Sequence, residues 1–171
     1  MLPSRPEDAT VAYSRLPRHP LIPGYVIGVG SGLDRAQLVK FMARTYAEIS
    51  PQVCQNHIAA TVESHLSATT PLWWVWPTEP ESEEPVACLW LGNAVDQLSG
   101  QRHAYLLLLY VAPAHRRRGI ATALMHQAHT WATQRGDVQI GLQVLTDNAA
   151  ALALYRQLGY VPHAMMMTKS L

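Results

Sequence analysis

Cysteine is nearly absent from this chain. There are two in 171 residues, Cys54 and Cys88, far apart and without metal-ligand spacing. That excludes a disulfide framework and points to a reducing compartment. No apolar run approaches the length of a membrane span, and residues 1–23 are too rich in proline and charge to form the apolar core of a signal segment. The expectation is a cytoplasmic chain without a membrane partner. Charge of one sign is also lacking: 13 basic and 12 acidic side chains leave a formal net charge of +1. No global field draws the protein to nucleic acid. The run 28-GVGSG-32 lacks the G-x-G-x-x-G spacing of a dinucleotide site and reads as a strand-to-helix turn. No internal repeat is visible.

What is present is a large apolar fraction, 49% of residues, which suits one globular domain with a substantial core. Pro3, Pro6, Pro17, Pro20 and Pro23 make residues 1–23 an extended or loosely ordered arm, with residues 24–171 as the single domain. Strands are predicted at 25–30, 72–77, 86–95, 104–111, 138–145 and 160–169, the last as one strand or a pair. Helices are predicted from Asp34, which can cap, to Ile49, from Pro51 through Ile58, Val62 and Leu66, and at 119–135 and 148–158. The order is β-α-α-β-β-β-α-β-α-β. It is an α/β fold with a central mixed, mostly antiparallel sheet flanked by helices. The strand before helix 119–135 runs parallel to the one after it.

The segment 109-LYVAPAHRRRGIATALMHQAHTWA-132 has the logic of an anion site. Pro113 ends the strand, and the chain turns at once into a helix whose first amides are unpaired. Those amides and the positive end of the helix dipole favour phosphate. Gly119 permits close approach of a ligand, Ala121 keeps the next turn shallow, and the three arginines add charge-assisted contacts. Asn148, or Asp147 beside it, can cap the last helix, and Tyr155, two turns on, shares a face with Asn148.

Arg116, Gly119 and Ala121 fall on the fixed positions of a motif that resembles the R/Q-x-x-G-x-G/A signature of the GNAT acyltransferases. The preceding Tyr110–Pro113 resembles the end of that family's fourth strand. The block 142-LQVLTDNAAALALYRQLGYV-161 is similar to its N-x-x-A-x-x-x-Y-x-x-x-G-F/Y region. The resemblance is strong over 104–161 and absent from the first 23 residues. It implies a GNAT-like fold, acetyl-CoA as co-substrate, no metal, and direct transfer of an acetyl group to a primary amine of a small molecule, peptide or protein. The cofactor contacts it implies are Tyr110, Val111, Ala112, Arg116, Arg117, Arg118, Gly119, Ile120, Ala121, Thr122, Asn148 and Tyr155. The N–H of Val111 would polarise the thioester carbonyl, and Tyr155 would act as general acid toward the leaving thiolate. A homodimer is common on this fold by the same resemblance.

One departure from the family stands out. The strand 104–111 carries Leu106, Leu107, Leu108 and Leu109 where many members carry a carboxylate that takes the acceptor's proton. His103, Glu48 and His57 are the alternative bases. The same absence supports a second reading, a CoA-binding or regulatory module without catalysis. Glu79, Glu81, Glu83 and Glu84 form an acidic loop that either steers a cationic acceptor or is a solvated turn. Trp73, Trp74 and Trp76 read first as core, and Met165–Met167 as fillers of packing gaps in a strand. His126 and His129 read as helix surface residues, since no third ligand has matched spacing.

Overall fold

The apolar strands of this chain differ in how their two faces are buried, and that sorts the helices into two layers. A computed structural model describes residues 17–52, 55–80 and 82–170. Its elements are β1 (His19–Ile22), β2 (Tyr25–Val29), α1 (Arg35–Ile49), α2 (Ile58–His65), β3 (Leu72–Pro77), β4 (Ala87–Val95), β5 (Arg102–Val111), α3 (Ile120–Arg135), β6 (Ile140–Leu142) and α4 (Ala149–Gln157). The six strands form one sheet in chain order. Every neighbouring pair is antiparallel except β5 and β6, which are parallel across the α3 crossover. The mixed, mostly antiparallel sheet expected from the sequence is the one observed.

Side chains alternate across the strands. Tyr25, Ile27, Trp73, Val75, Leu89, Leu91 and Leu106 face α3, where they meet Ile120, Leu124, Met125 and Ala128. Leu72, Trp74, Cys88, Trp90, Leu108 and Tyr110 face α1 and α2, where they meet Leu38, Phe41, Met42, Ile58 and Val62. The tryptophans divide accordingly: Trp73 and Trp74 are buried on opposite faces, and Trp76 is partly covered, with the Arg18 guanidinium 3.9 Å above its ring. Phe41 lies edge-on to both Trp74 and Tyr110, with ring centroids 5.1 and 5.2 Å apart, so this one side chain locks α1 onto the end of β5.

The ends of the chain depart from expectation. Residues 1–16 of the proline-rich arm lie outside the described residues. The arm's last stretch is not loose, because His19–Ile22 forms an edge strand on β2. Pro20 is tolerated there because an edge strand has one side with no ladder to maintain. At the other end, 160–169 forms no strand. β6 is only three residues long and offers little ladder to a further neighbour. Met165, Met166 and Met167 are 85%, 71% and 85% exposed, so they fill no packing gap. The strand expected at 138–145 contracts to Ile140–Leu142. Helix α2 starts at Ile58 and not at Pro51. Asp34 does not cap α1. It closes a capping box with Ser31 around a short turn of 3-10 helix, accepting from the Ser31 N–H at 2.6 Å.

Replacing Phe41 with alanine is expected to cost about 3–5 kcal/mol, read as a lower denaturation midpoint in urea.

Candidate active site

The site begins with a break in pairing. β5 pairs with β4 along its whole length, from Arg102 opposite Val95 to Val111 opposite Ala87. It pairs with β6 only from Ala104 to Leu106. Between these lies a bulge: Trp90 faces Leu108 and Leu91 faces Leu106, leaving Leu107 as the extra residue. A bulge bends its strand and raises the local twist, and here it carries Leu107–Val111 away from β6. Gly92 makes room for it, since a Cβ there would come within 2.7 Å of the Leu107 side chain. The N–H of Ala112 donates to Val86 O at 2.8 Å, toward β4. Successive residues of a strand address opposite edges, so the N–H and C=O of Val111 face the open one.

The loop after β5 turns at Pro113–His115 and enters α3. Two residues adopt left-handed backbone, Arg117 with φ 63° and Gly119 with φ 84°. Left-handed residues next to right-handed ones turn consecutive N–H groups into one concavity that suits anions. Ala123 N–H donates to Gly119 O and makes the first helical bond, so the amides of Ile120, Ala121 and Thr122 have no helical acceptor. Among the described residues, no atom beyond its chain neighbours lies within 4 Å of where a Gly119 Cβ would stand, so the backbone there is open to approach. The buried Ile120 side chain belongs to the core and offers the site only its backbone.

The three arginines are not equivalent. Arg116 donates from Nε to Val111 O at 2.8 Å and from Nη2 to Glu48 Oε2 at 2.5 Å. Arg118 donates from Nη1 to Tyr25 Oη at 3.1 Å and from Nη2 to Ala114 O at 3.2 Å, and Tyr25 Oη also bonds His115 Nδ1 at 2.9 Å. Arg117 forms no hydrogen bond or ion pair among the described residues. His115 sits in the loop itself, beside Arg116, whereas Tyr25 on β2 has no sequence signal that ties it to the loop.

Asn148 caps α4, its Oδ1 accepting from Ala151 N–H at 3.1 Å, so its side chain is engaged in the helix start. Tyr155 lies partly buried against the α3-side core and edge-on to Tyr160, ring centroids 5.7 Å apart. Burial pushes its phenol up to about 12, which keeps the proton on the oxygen throughout the neutral range. Tyr160 Oη is hydrogen-bonded to His129 Nε2 at 2.9 Å. His129 is therefore half-buried on α3, with burial and the neighbouring His126 lowering its pKa, while His126 is exposed as expected.

The three alternative bases separate clearly. His103 is buried at the start of β5, about 25 Å of strand from Val111. His57 stacks on Tyr46 before α2, centroids 5.9 Å apart. Glu48, on the last turn of α1, is joined to Val111 through one guanidinium. The phenol of Tyr110 lies near enough that, after burial, the Glu48 charge is the next influence raising its pKa. The acidic loop is partly discharged: Glu84 pairs with Lys40 at 2.5 Å and Arg44 at 3.3 Å, and the Lys40 hydrogen bond foremost lowers its pKa. Glu81 and Cys54 lie outside the described residues. Cys88 is fully buried and its thiol pKa is strongly raised by that burial, which makes it a poor nucleophile. Among the described residues, no group of three or more His, Cys, Asp or Glu is placed to hold a metal ion, and no helix is long and apolar enough to cross a membrane.

Residues 36–160 match the family model described as acetyltransferase (GNAT) family. The chain belongs to that family. It is 42% identical over 52 residues to an aminoglycoside N(6')-acetyltransferase type 1 of Acinetobacter haemolyticus, a match covering 30% of this chain and 36% of that protein. The chain thus spans little more than a third of that relative. The fold is shared with a solved GCN5-related N-acetyltransferase of Ralstonia eutropha JMP134, at TM-score 0.67 and 21% identity, covering 86% of this chain and 99% of the other. A solved aminoglycoside antibiotic 6'-N-acetyltransferase of Acinetobacter haemolyticus aligns at TM-score 0.62 and 21% identity, covering 85% and 97%.

The raised phenol pKa of Tyr155 has a measurable consequence in this GNAT chain. An unfolded tyrosine ionises near 10 and the folded one only near 12, so stability is intact below pH 10 and falls as pH rises from 10 to 12. Thermal melts across that range are expected to show a shallower fall in Tyr155→Phe than in the wild type.

Proposed function

We propose that this chain transfers an acetyl group from acetyl-CoA to a primary amine by direct attack. The observation that carries this reading is the open edge of β5 at Val111, leading into the left-handed concavity at the start of α3. An extended pantetheine arm fits the first as an added strand, and a pyrophosphate fits the second. Acetyl-CoA supplies the activated acyl group as a thioester.

Each residue then has a stated task. The Val111 N–H donates to the thioester carbonyl oxygen as that oxygen gains negative charge. The backbone from Tyr110 to Ala112 aligns the arm. The amides of Gly119, Ile120, Ala121 and Thr122, with Arg117, hold the phosphates. Before the cofactor binds, Arg116 and Arg118 shape the loop from its two sides. As the amine nitrogen bonds to the acyl carbon, it gives up a proton to Glu48. As the carbon–sulfur bond breaks, the thiolate takes the Tyr155 proton, which solvent then restores. Glu48 is the carboxylate on the acceptor side, in place of the one absent from β5. Asn148 sets the start of α4 and thereby the reach of Tyr155.

Aminoglycosides lead the acceptor candidates, because two of the similar proteins are named for acting on them. Polyamines and peptide amines complete the panel. A thermal-shift titration with acetyl-CoA, CoA and ATP tests the cofactor first. Saturation at about 100 times Kd stabilises by about 2.7 kcal/mol, several degrees for a domain of this size. A shift with acetyl-CoA and CoA but not ATP is expected. A CoA-binding module without catalysis would give the same shift, yet release no thiol with any amine.

Two substitutions check the assignments. Gly119→Ala places a Cβ in the concavity at a φ that suits glycine, and is expected to weaken CoA binding at least tenfold while costing about 1–2 kcal/mol of stability. Tyr155→Phe is expected to lower kcat about 100-fold with little change in Kd for acetyl-CoA. Unchanged turnover in that variant removes the general-acid role.

A further inference from the structure

The side chain of Arg116 lies where the proposed cofactor would need it to be absent. Its Nε occupies Val111 O, a carbonyl on the open edge of β5 that an added strand would use. Its Nη2 is held by Glu48 Oε2 at 2.5 Å, and the two side chains are 44% and 41% exposed. The pair joins the end of α1 to the anion loop across 68 positions of sequence. A guanidinium is planar and its donors form a rigid fork, so Arg116 cannot keep both contacts and also turn toward a phosphate in the concavity.

We propose that Arg116 exchanges partners, pairing with Glu48 in the empty protein and with the pyrophosphate of bound CoA in the loaded one. Glu48 and the cofactor thus compete for a single cation. This rests on the acetyl-CoA reading above and adds a regulation of the same site. Loading clears the edge at Val111 and leaves the Glu48 carboxylate without its counter-ion one guanidinium's width away. That is where an incoming ammonium would need a negative charge. In the empty protein the same carboxylate is neutralised, so the acceptor side is completed only after the cofactor is in place. Phe41 keeps Glu48 there: it sits seven residues earlier, on the same face of α1, wedged between Trp74 and Tyr110.

CoA affinity in a double-mutant cycle decides the matter. Isothermal titration with CoA is run on the wild type, E48Q, R116A and E48Q/R116A, each checked for an unchanged melting temperature to within a few degrees. Competition predicts that E48Q binds CoA about two- to fivefold more tightly, the range set by losing one exposed ion pair. It also predicts that the same substitution has no effect in the R116A background. Equal tightening in both backgrounds would mean that Glu48 acts only as a distant negative charge, and overturns the exchange. Weaker binding in E48Q would mean that the pair merely holds the loop in its binding shape, and overturns it too. A wild-type protein that binds no CoA removes the cofactor reading itself, an outcome distinct from the other two.

Discussion

Everything at this site depends on β5 having one satisfied edge and one open edge. Its β4 side is paired from end to end, while its β6 side is paired for three residues and then released. The extra residue at Leu107 bends the strand at the point of release. Backbone polar groups without partners cost free energy if buried, so the open-edge groups between Leu107 and Val111 persist only where water, a ligand or the Arg116 side chain can reach them. The opening also fixes the start of α3, because the crossover must leave the tip of β5 and return at the foot of β6. A helix start with unpaired amides and the open edge of a strand therefore adjoin each other as a consequence of one irregularity in pairing.

Around that backbone frame the charged side chains are arranged in ties. Arg116 reaches across to α1, Arg118 reaches to β2, and Arg117 between them is left outward. β5 carries no carboxylate, and the nearest one tied to its end is Glu48 on α1, through Arg116. The acidic loop is drawn to the same helix through Glu84, Lys40 and Arg44. Helix α1 thus gathers the ion pairs around the site, through Lys40, Arg44 and Glu48, while β5 and α3 supply its exposed backbone groups. Phe41 joins the two halves by packing alone.

The parts of this arrangement legible in the sequence are those governed by short spacing. The apolar run 104–111 reads as a strand covered on both sides, and the Ile120–Leu124–Ala128 period reads as the inner face of α3. Asn148 reads as the cap of α4, and its Oδ1 bond to Ala151 has that geometry. The parts not legible depend on neighbours. His19–Ile22 becomes a strand only because β2 lies beside it, with two prolines nearby arguing for a loose arm. Residues 160–169 have the composition of a strand but find only a three-residue edge to join. Helix α2 begins at Ile58 and not at the permissive Pro51, because Ile58 and Val62 are the residues α1 and the sheet bury.

What the sequence by itself determined is the run of elements from β2 to α4, their order, and the loop R-x-x-G-x-A at a helix start, since each follows from residue types within one or two turns of one another. What only the tertiary structure decided is which charged and polar side chains meet. Arg116 with Glu48 and Arg118 with Tyr25 are separated by 68 and 93 positions, and no periodicity links them. They meet because buried aromatic and aliphatic faces set α1, β2 and β5 at fixed distances, and a charge–charge contact at hydrogen-bond range exists only once those distances are fixed.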